Sequence, residues 1–459
     1  MKVNPNIFRE YDIRGIAEKD LTDNMVEAIG KSYATYLGNN GLRKFVVGRD
    51  VRLSSERIQA ALIKGIISTG ADVINIGLVP TPVLYFSIVQ LNADGGIMVT
   101  GSHNPIEFNG LKMCHGIASV YGEQIQQLKQ IIEHGEFIKG QGTVVDKDIV
   151  DEYVRTIKSK IKLNRKLKIV IDAGNGTAGE IAPQLWEDLG CEVIRLYCEL
   201  DGNFPNHLPD PTVPKYVVDL QKLVLEHQAD LGIGYDGDAD RIGVIDDRGR
   251  IIYADRLIAL FSRDVLKRMP QSTIVFDVKC SQALPEYIER YGGVPLMWKT
   301  GHALLKAKMK QENSPFAGEM SGHIFFKDEY FGFDDAIYAS GRLLRILDET
   351  GNKLSQLIDE IPYFISTPEI RIECADEAKF DVIANLVEEF KKEQDVIDID
   401  GARVQFGDGW GLVRASNTQP VLVLRFEAKT EERLEEIKNI FKTKLNQYPA
   451  VKFSDQDFK

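Results

Sequence analysis

Cysteine is scarce. The 459 residues hold five cysteines, an odd number, and Cys114, Cys191, Cys198, Cys280 and Cys374 include no Cys-x-x-Cys pair. That argues against a disulfide frame or a zinc site and for reduced thiols in a cytosol. Long apolar runs are missing as well. None approaches the ~20 residues that a helix needs to cross a bilayer. The start, Met1-Lys-Val-Asn-Pro-Asn6, has no apolar signal core, so a cytoplasmic location is expected. Positive charge is in deficit: the net charge of -12 disfavours nucleic acid and anionic membrane as partners. It leaves a phosphate ligand open, because local Arg and Lys clusters decide that. The remainder, 44% apolar and 27% charged, is the make-up of a globular protein. At ~150 residues each, this length predicts about three or four domains.

The most informative stretch is Asp236-Gly-Asp-Ala-Asp-Arg241. Its carboxylates at i, i+2 and i+4 can converge on one hard cation, with small residues between them. Ala229 to Tyr235 before it and Ile242 to Asp246 after it read as buried strands, so the loop lies at a strand's carboxyl end, where open α/β sheets place ligands. Oxygen-only ligation suits magnesium or calcium and not zinc. Many such Asp-rich turns are merely solvated. An EF-hand fits poorly, because it wants Gly at position six and Glu at twelve, where this chain has Arg241 and Asp247. A cation beside Arg241 points to an anionic ligand, phosphate first.

A second loop, Thr100-Gly-Ser-His-Asn-Pro105, follows the apolar run Gly96 to Val99. The strand delivers Ser102 to a turn, where its hydroxyl needs a base or a cation to act as a nucleophile. His103 is adjacent in sequence, so its side chain is expected to point away and to orient the loop. No Gly-x-Ser-x-Gly elbow is present, which argues against an α/β-hydrolase.

The chain also holds a degenerate repeat. Phe45 to Asp50, Lys168 to Gly174 and Thr273 to Lys279 each read as a buried strand ending in a charged turn. Each is followed by a helix-length segment and a second apolar run: Ala71 to Ile76, Cys191 to Leu196 and Gly293 to Met297. Each unit then reaches its own loop, at Ser102, Asp236 or Glu319. The pattern predicts three α/β domains of one design around a shared cleft. Ile361 to Pro368 reads as a linker. Beyond it, Thr367 to Ile372 is a strand candidate. Ala378 to Glu393 has helical periodicity, with Phe380, Ile383, Leu386, Val387 and Phe390 on one face. Two or three strands across Ile397 to Ala428 and a closing helix through Leu434, Ile437, Ile440 and Phe441 complete a smaller domain.

Five segments together carry a resemblance. Tyr11-Asp-Ile-Arg-Gly15, Thr100 to Pro105, Asp236 to Arg241, Gly318-Glu-Met-Ser-Gly-His323 and Arg414-Ala-Ser-Asn-Thr-Gln-Pro420 resemble, in order, motifs of the α-D-phosphohexomutases. The last four resemble that family's phosphoserine, metal, sugar and phosphate loops. The Gly318 to His323 form is most similar to the bacterial phosphomannomutase/phosphoglucomutase branch. The phosphoglucosamine branch usually has Gln where Met320 stands.

The resemblance implies an α/β fold of three similar mixed-sheet domains and a smaller C-terminal α+β domain around a central cleft. Their expected limits are 1–150 with the phosphoserine loop, 151–252 with the metal loop, 253–365 with the sugar loop and 366–459 with the phosphate loop. It implies reversible phosphoryl transfer between the 1- and 6-positions of mannose and glucose phosphates. The route runs through phospho-Ser102 and a bound hexose 1,6-bisphosphate. Magnesium on Asp236, Asp238, Asp240 and the Ser102 phosphate is the implied cofactor, with glucose 1,6-bisphosphate or mannose 1,6-bisphosphate as activator. Arg241 is to stabilise developing charge, and Arg14, Lys112 and His302 are candidates for proton transfer. Glu319 and Ser321 are to read sugar hydroxyls, with His323 behind them. Arg414, Ser416, Asn417 and Thr418 are to clamp phosphate, and Tyr11 and Lys279 are to bind substrate. Arg425 either adds charge there or lines its strand. Glucose and mannose differ at carbon 2 and share the 3- and 4-hydroxyls that suit Glu319, so activity on both is expected. The partners implied are small hexose phosphates, and the chain is expected to be a monomer. Rival readings are a phosphoglucosamine mutase, a metal-dependent sugar-phosphate phosphatase and a non-catalytic sugar-phosphate binding protein.

Overall fold

The computed structural model describes residues 3–417 and 419–458. The repeat read from the sequence is a repeat of topology. In the first sheet, strand Lys44–Arg49 lies between Asp72–Leu78 and Gly95–Val99, parallel to both, and Gly95–Val99 pairs antiparallel with Phe108–His115. The second sheet places Lys168–Asp172 between Glu192–Leu196 and Leu231–Tyr235 in parallel, and Leu231–Tyr235 pairs antiparallel with Ile242–Asp246. The third repeats this with Thr273–Asp277 between Val294–Trp298 and Phe316–Gly318, and with Ile324–Phe326 antiparallel. Each time the third strand runs parallel to the central one and the fourth returns. Their connection therefore falls at the carboxyl end of the sheet. Those three connections are the loops of Ser102, Asp236 and Glu319.

The central strands are buried on both faces, as parallel strands covered by helices must be. In the first sheet the covering helices include Asp23–Gly38, Ser55–Ile67 and Thr81–Gln90. One continuous apolar core runs through all three sheets, from Val46 and Tyr85 through Trp186 and Ile233 to Phe326 and Leu343. The fourth sheet differs. Its strands Asp395–Ile397, Ala402–Gln405, Gly409–Ala415, Val421–Ala428, Ile370–Cys374 and Val451–Lys452 pair antiparallel throughout. Helices Lys379–Lys391 and Glu431–Leu445 pack against it. That is the expected α+β unit, with a core of its own.

Two expectations need correction. Phe380 is 57% exposed, because in the helix that begins at Lys379 it lies off the face formed by Val382, Ile383, Leu386 and Phe390. The stretch read as a linker is also partly sheet: Ile365–Ser366 pairs with Glu427 and Ala428. No described helix is long and apolar enough to cross a membrane.

Candidate active site

Ser102 sits at φ +48°, a left-handed conformation that is uncommon for a residue with a side chain. Arg52 holds the loop there. Its fully buried guanidinium donates to the carbonyls of Pro105 and Phe108 at 2.7 and 2.9 Å, and to those of Ser102 and Asn104 at 2.9 and 2.5 Å. Asp50 accepts from Gly101 N at 3.1 Å and lies 3.5 Å from Arg52 Nε. Neither residue was singled out from the sequence. The only available signal was the charged turn that ends the first central strand.

The turn at Ser102 overturns one expectation. His103 does not point away: its Nδ1 lies 2.9 Å from Ser102 Oγ. The positive φ swings the two adjacent side chains to one side. Burial, then Arg241, Arg14 and Lys112, hold this imidazole well below its ordinary pKa, so it is neutral.

Ser102 Oγ also donates to Asp236 Oδ2 at 2.8 Å. The approach of the two loops needs Gly237: a Cβ there would lie 2.5 Å from the Ser102 carbonyl oxygen. Asp236 Oδ1 accepts from the backbone N–H groups of Asp240 and Arg241, at 3.1 Å each. Asp238 accepts from Thr81 Oγ1 at 2.5 Å. Lys112 Nζ donates to Asp238 Oδ2 at 2.6 Å and also to Asp240.

All three Asp side chains are fully buried, and one oxygen of each lies within 4.8 Å of the others. Burial, then Asp238 and Asp240, push the Asp236 carboxyl well above its usual range. Burial works against ionisation of Asp238 too, but Lys112 outweighs it and holds that carboxyl low. Asp238 Oδ1 and Asp240 Oδ1 are buried without a hydrogen-bond partner among the described residues. Crowded hard oxygens with unused lone pairs fit a divalent cation.

A cavity of about 180 Å³ lies over this cluster. The residues predicted from the sequence line it, except the three Asp, Arg425, and Thr418, which lies outside the described residues. Arg14 donates to Asn104 Oδ1 at 2.9 Å and to Asp12 at 2.5 Å. Arg241 donates from Nε to His323 Nε2 at 3.0 Å. His302 stacks on His323, with centroids 5.2 Å apart, and Asp334 reaches the Nδ1 atoms of both, at 3.3 and 3.0 Å. Burial, with Lys306 and His323, lowers the His302 pKa against the pull of Asp334.

Glu319 Oε2 and Ser321 Oγ are buried and have no partner among the described residues. Burial opposes ionisation of Glu319, but His323, Lys279 and Arg241 hold its pKa low, so it presents an acceptor. At the far wall Arg414 Nε donates to Asp400 at 2.9 Å. Asn417 Nδ2 donates to Tyr11 Oη at 2.6 Å, and Tyr11 in turn donates to the Thr300 carbonyl at 2.8 Å. Tyr11 lies against Gly301, at φ +128°, where a Cβ would come within 2.6 Å of its ring. Arg425 does more than line its strand: it pairs with Asp255 at 3.3 Å and donates to the Lys279 carbonyl.

Four family models match the chain in order. Phosphoglucomutase/phosphomannomutase alpha/beta/alpha domain I covers residues 5–139, domain II 151–249, domain III 253–364 and the C-terminal domain 369–444. The chain is 49% identical over 441 residues to a phosphomannomutase/phosphoglucomutase of Pseudomonas putida, covering 96% of this chain and 95% of that protein. It is 45% identical over 454 residues to a phosphoglucomutase of Neisseria gonorrhoeae, covering 98% of each. A crystal structure of a phosphoglucomutase/phosphomannomutase family protein from Burkholderia thailandensis superposes with a TM-score of 0.92 at 41% identity, over 98% of this chain and all of that one. With all four domain models matched in order along its length, the chain belongs to the phosphoglucomutase/phosphomannomutase family.

Proposed function

We propose that the protein is a hexose phosphate mutase, an isomerase acting on mannose and glucose phosphates. The observation that carries this is Ser102 Oγ, 2.8 Å from a carboxylate of the buried acidic triad, in one cavity with the Arg414 loop. That pairs a phosphoryl carrier with an anion clamp across a sugar-sized space.

Phosphate on Ser102 passes to the free hydroxyl of a bound 1- or 6-phosphate. The hydroxyl oxygen attacks phosphorus, the Oγ–P bond breaks, the hydroxyl proton leaves to a base and Oγ regains a proton. His302, held neutral by its burial, suits the base role, and Arg14 and Lys112 share the charge of the reacting groups. The bisphosphate turns end for end. Ser102 Oγ then attacks the other phosphate, whose bond to the sugar breaks, and the proton returns to the sugar oxygen. A magnesium ion, when held by Asp236, Asp238, Asp240 and the Ser102 phosphate, offsets charge on the transferring group. His103 holds Oγ in place, and Arg241 meets the equatorial phosphoryl oxygens, backed by His323. Arg414, Ser416, Asn417, Tyr11 and Lys279 grip the distant phosphate. Glu319 and Ser321 bind hydroxyls that glucose and mannose share. Glucose 1,6-bisphosphate or mannose 1,6-bisphosphate serves as activator by phosphorylating Ser102.

The test is a coupled dehydrogenase assay of glucose 1-phosphate and mannose 1-phosphate with magnesium and a trace of bisphosphate. Comparable turnover of both, lost on chelation, is expected. Turnover of glucosamine phosphate far above both would overturn the substrate assignment. Stoichiometric phosphate release without isomer would overturn the mutase reaction.

A further inference from the structure

Two carboxylates stand where a phosphate site has no evident use for them. Glu369 accepts from Lys279 Nζ at 3.2 Å and from Arg371 Nε at 2.9 Å. Asp400 accepts from Arg414 Nε at 2.9 Å and from Thr300 N at 3.0 Å. Lys279, Glu369, Arg371 and Arg414 all line the cavity. Two clamp cations, Lys279 and Arg414, and the neighbouring Arg371 therefore face two carboxylates. The Lys279 and Arg414 side chains are only 8% and 7% exposed, so water screens their charge poorly, whereas Arg371 is 56% exposed and well screened. Desolvation opposes ionisation of Glu369, but Lys279 and Arg371 outweigh it and hold its carboxyl down to about 2. It is an anion at any working pH. At the reacting end Arg14 pairs with Asp12, and Lys112 with Asp238 and Asp240, while Arg241 gives its Nε to His323.

We infer that Glu369 and Asp400 are counter-charges of the phosphate clamp, which hold its cations in place while weakening its grip, so that the bisphosphate lets go between the two half-reactions. This rests on the mutase reading above. In that reaction the clamp must hold a phosphate on each end of the sugar in turn. An unopposed cluster of three cations grips substrate, intermediate and transition state alike. Such uniform binding lowers KM without raising kcat, and it slows the turn by the affinity it adds. Carboxylates bonded to the cations keep the donors oriented and repel the incoming dianion at the same time. Both are positioning residues, because they act through Lys279, Arg371 and Arg414.

The inference predicts a sign that a purely structural role does not. If Glu369 only stiffened the entry to the fourth domain, removing its charge would loosen binding. As a counter-charge, its removal tightens it. In a Ser102→Ala background, which cannot transfer phosphate, glucose 6-phosphate is titrated calorimetrically into Glu369→Gln and Asp400→Asn, each keeping its side-chain shape. Binding tighter by about fivefold or more is expected for both, from the repulsion of a nearby unit charge. In chains that keep Ser102, KM falls and kcat falls with it. Unchanged or weaker binding in folded variants overturns the inference, and if Glu369→Gln does not fold, Asp400→Asn decides alone. Arg414→Ala, titrated alongside, tests the clamp itself. If it loses affinity while the two charge variants do not gain it, the inference fails and the mutase reading stands. If it keeps full affinity, the clamp assignment fails and takes the inference with it.

Discussion

At the residue scale, the conformation of Ser102 depends on a neighbour fifty positions away. The strained φ of +48° at Ser102 persists because the Arg52 guanidinium meets four loop carbonyls at once. A lysine cannot reproduce that planar fork. Arg52→Lys is expected to cut kcat by about 100-fold, the scale of a misplaced reacting atom, with KM changed far less. A KM increase that carried the whole loss would show that Arg52 serves binding instead. Ser102→Ala is expected to abolish turnover while calorimetry still records hexose phosphate binding, and near-normal turnover would remove the phosphoserine route.

A pH-dependent contribution lies outside the cleft, at His207. Burial opposes its protonation, but Asp172 at 3.1 Å, then the Leu208 carbonyl and Asp219, raise its pKa above 6.5. A raised folded-state pKa stabilises fully below the unfolded value and loses that contribution as pH rises through the folded value. The melting temperature of His207→Gln should therefore fall furthest below wild type under pH 6.5 and converge with it at higher pH. A gap that widens as pH rises would contradict this pairing.

At the element scale, the proposed catalytic loops sit on connections between a third strand and a returning fourth, made three times over. This much was legible, because buried parallel strands read as apolar runs ending in polar turns and the motif loops follow them at matching positions. What could not be read is what crosses between elements. Arg52, Asp50, Glu369 and Asp400 look like ordinary surface charge in the sequence, and only their contacts with distant loops give them work. His103 was misplaced because side chains of adjacent residues diverge in extended chain but not at a left-handed turn. The close contact of two such loops yields a sharp prediction. Gly237→Ala puts a methyl group 2.5 Å from the Ser102 carbonyl oxygen, and backbone cannot yield as a side-chain tip does. The serine and acidic loops must separate, so kcat should drop at least about tenfold and the magnesium needed for half-maximal activity should rise. An unchanged magnesium requirement would mean that the loops give way elsewhere.

At the scale of the whole molecule, three sheets share one core while the fourth has its own, so the Arg414 loop of the proposed phosphate clamp rides on a unit that can move against the rest, while Tyr11 and Lys279 stay with the three-sheet body. Its docking is narrow and polar. Val278, Trp410 and Leu412 form a small apolar contact. Beside it the fully buried Arg403 donates to the carbonyls of Val278 and Cys280 at 2.6 and 2.7 Å, stacked 3.8 Å over Trp410. Trp410 Nε1 donates to Glu427, which also accepts from Gln282 N at 2.9 Å. These contacts come from the segment that carries Lys279, so docking the fourth domain and aligning the clamp are one event. Arg403→Met keeps much of the bulk and the stacking but strands two buried carbonyls, which disfavours the docked arrangement. The clamp then forms less often, and domain closure of this kind governs KM and kcat together. The expected result is a rise in KM and a fall in kcat of about tenfold each, with the Ser102 phosphate content unchanged by intact mass, because the serine and acidic loops lie in the shared core and not in the moving unit. If Arg403→Met instead lost phosphate from Ser102, the fourth domain would be shielding the phosphoserine as well as gripping the sugar's far end, and water would be the competitor that closure keeps out.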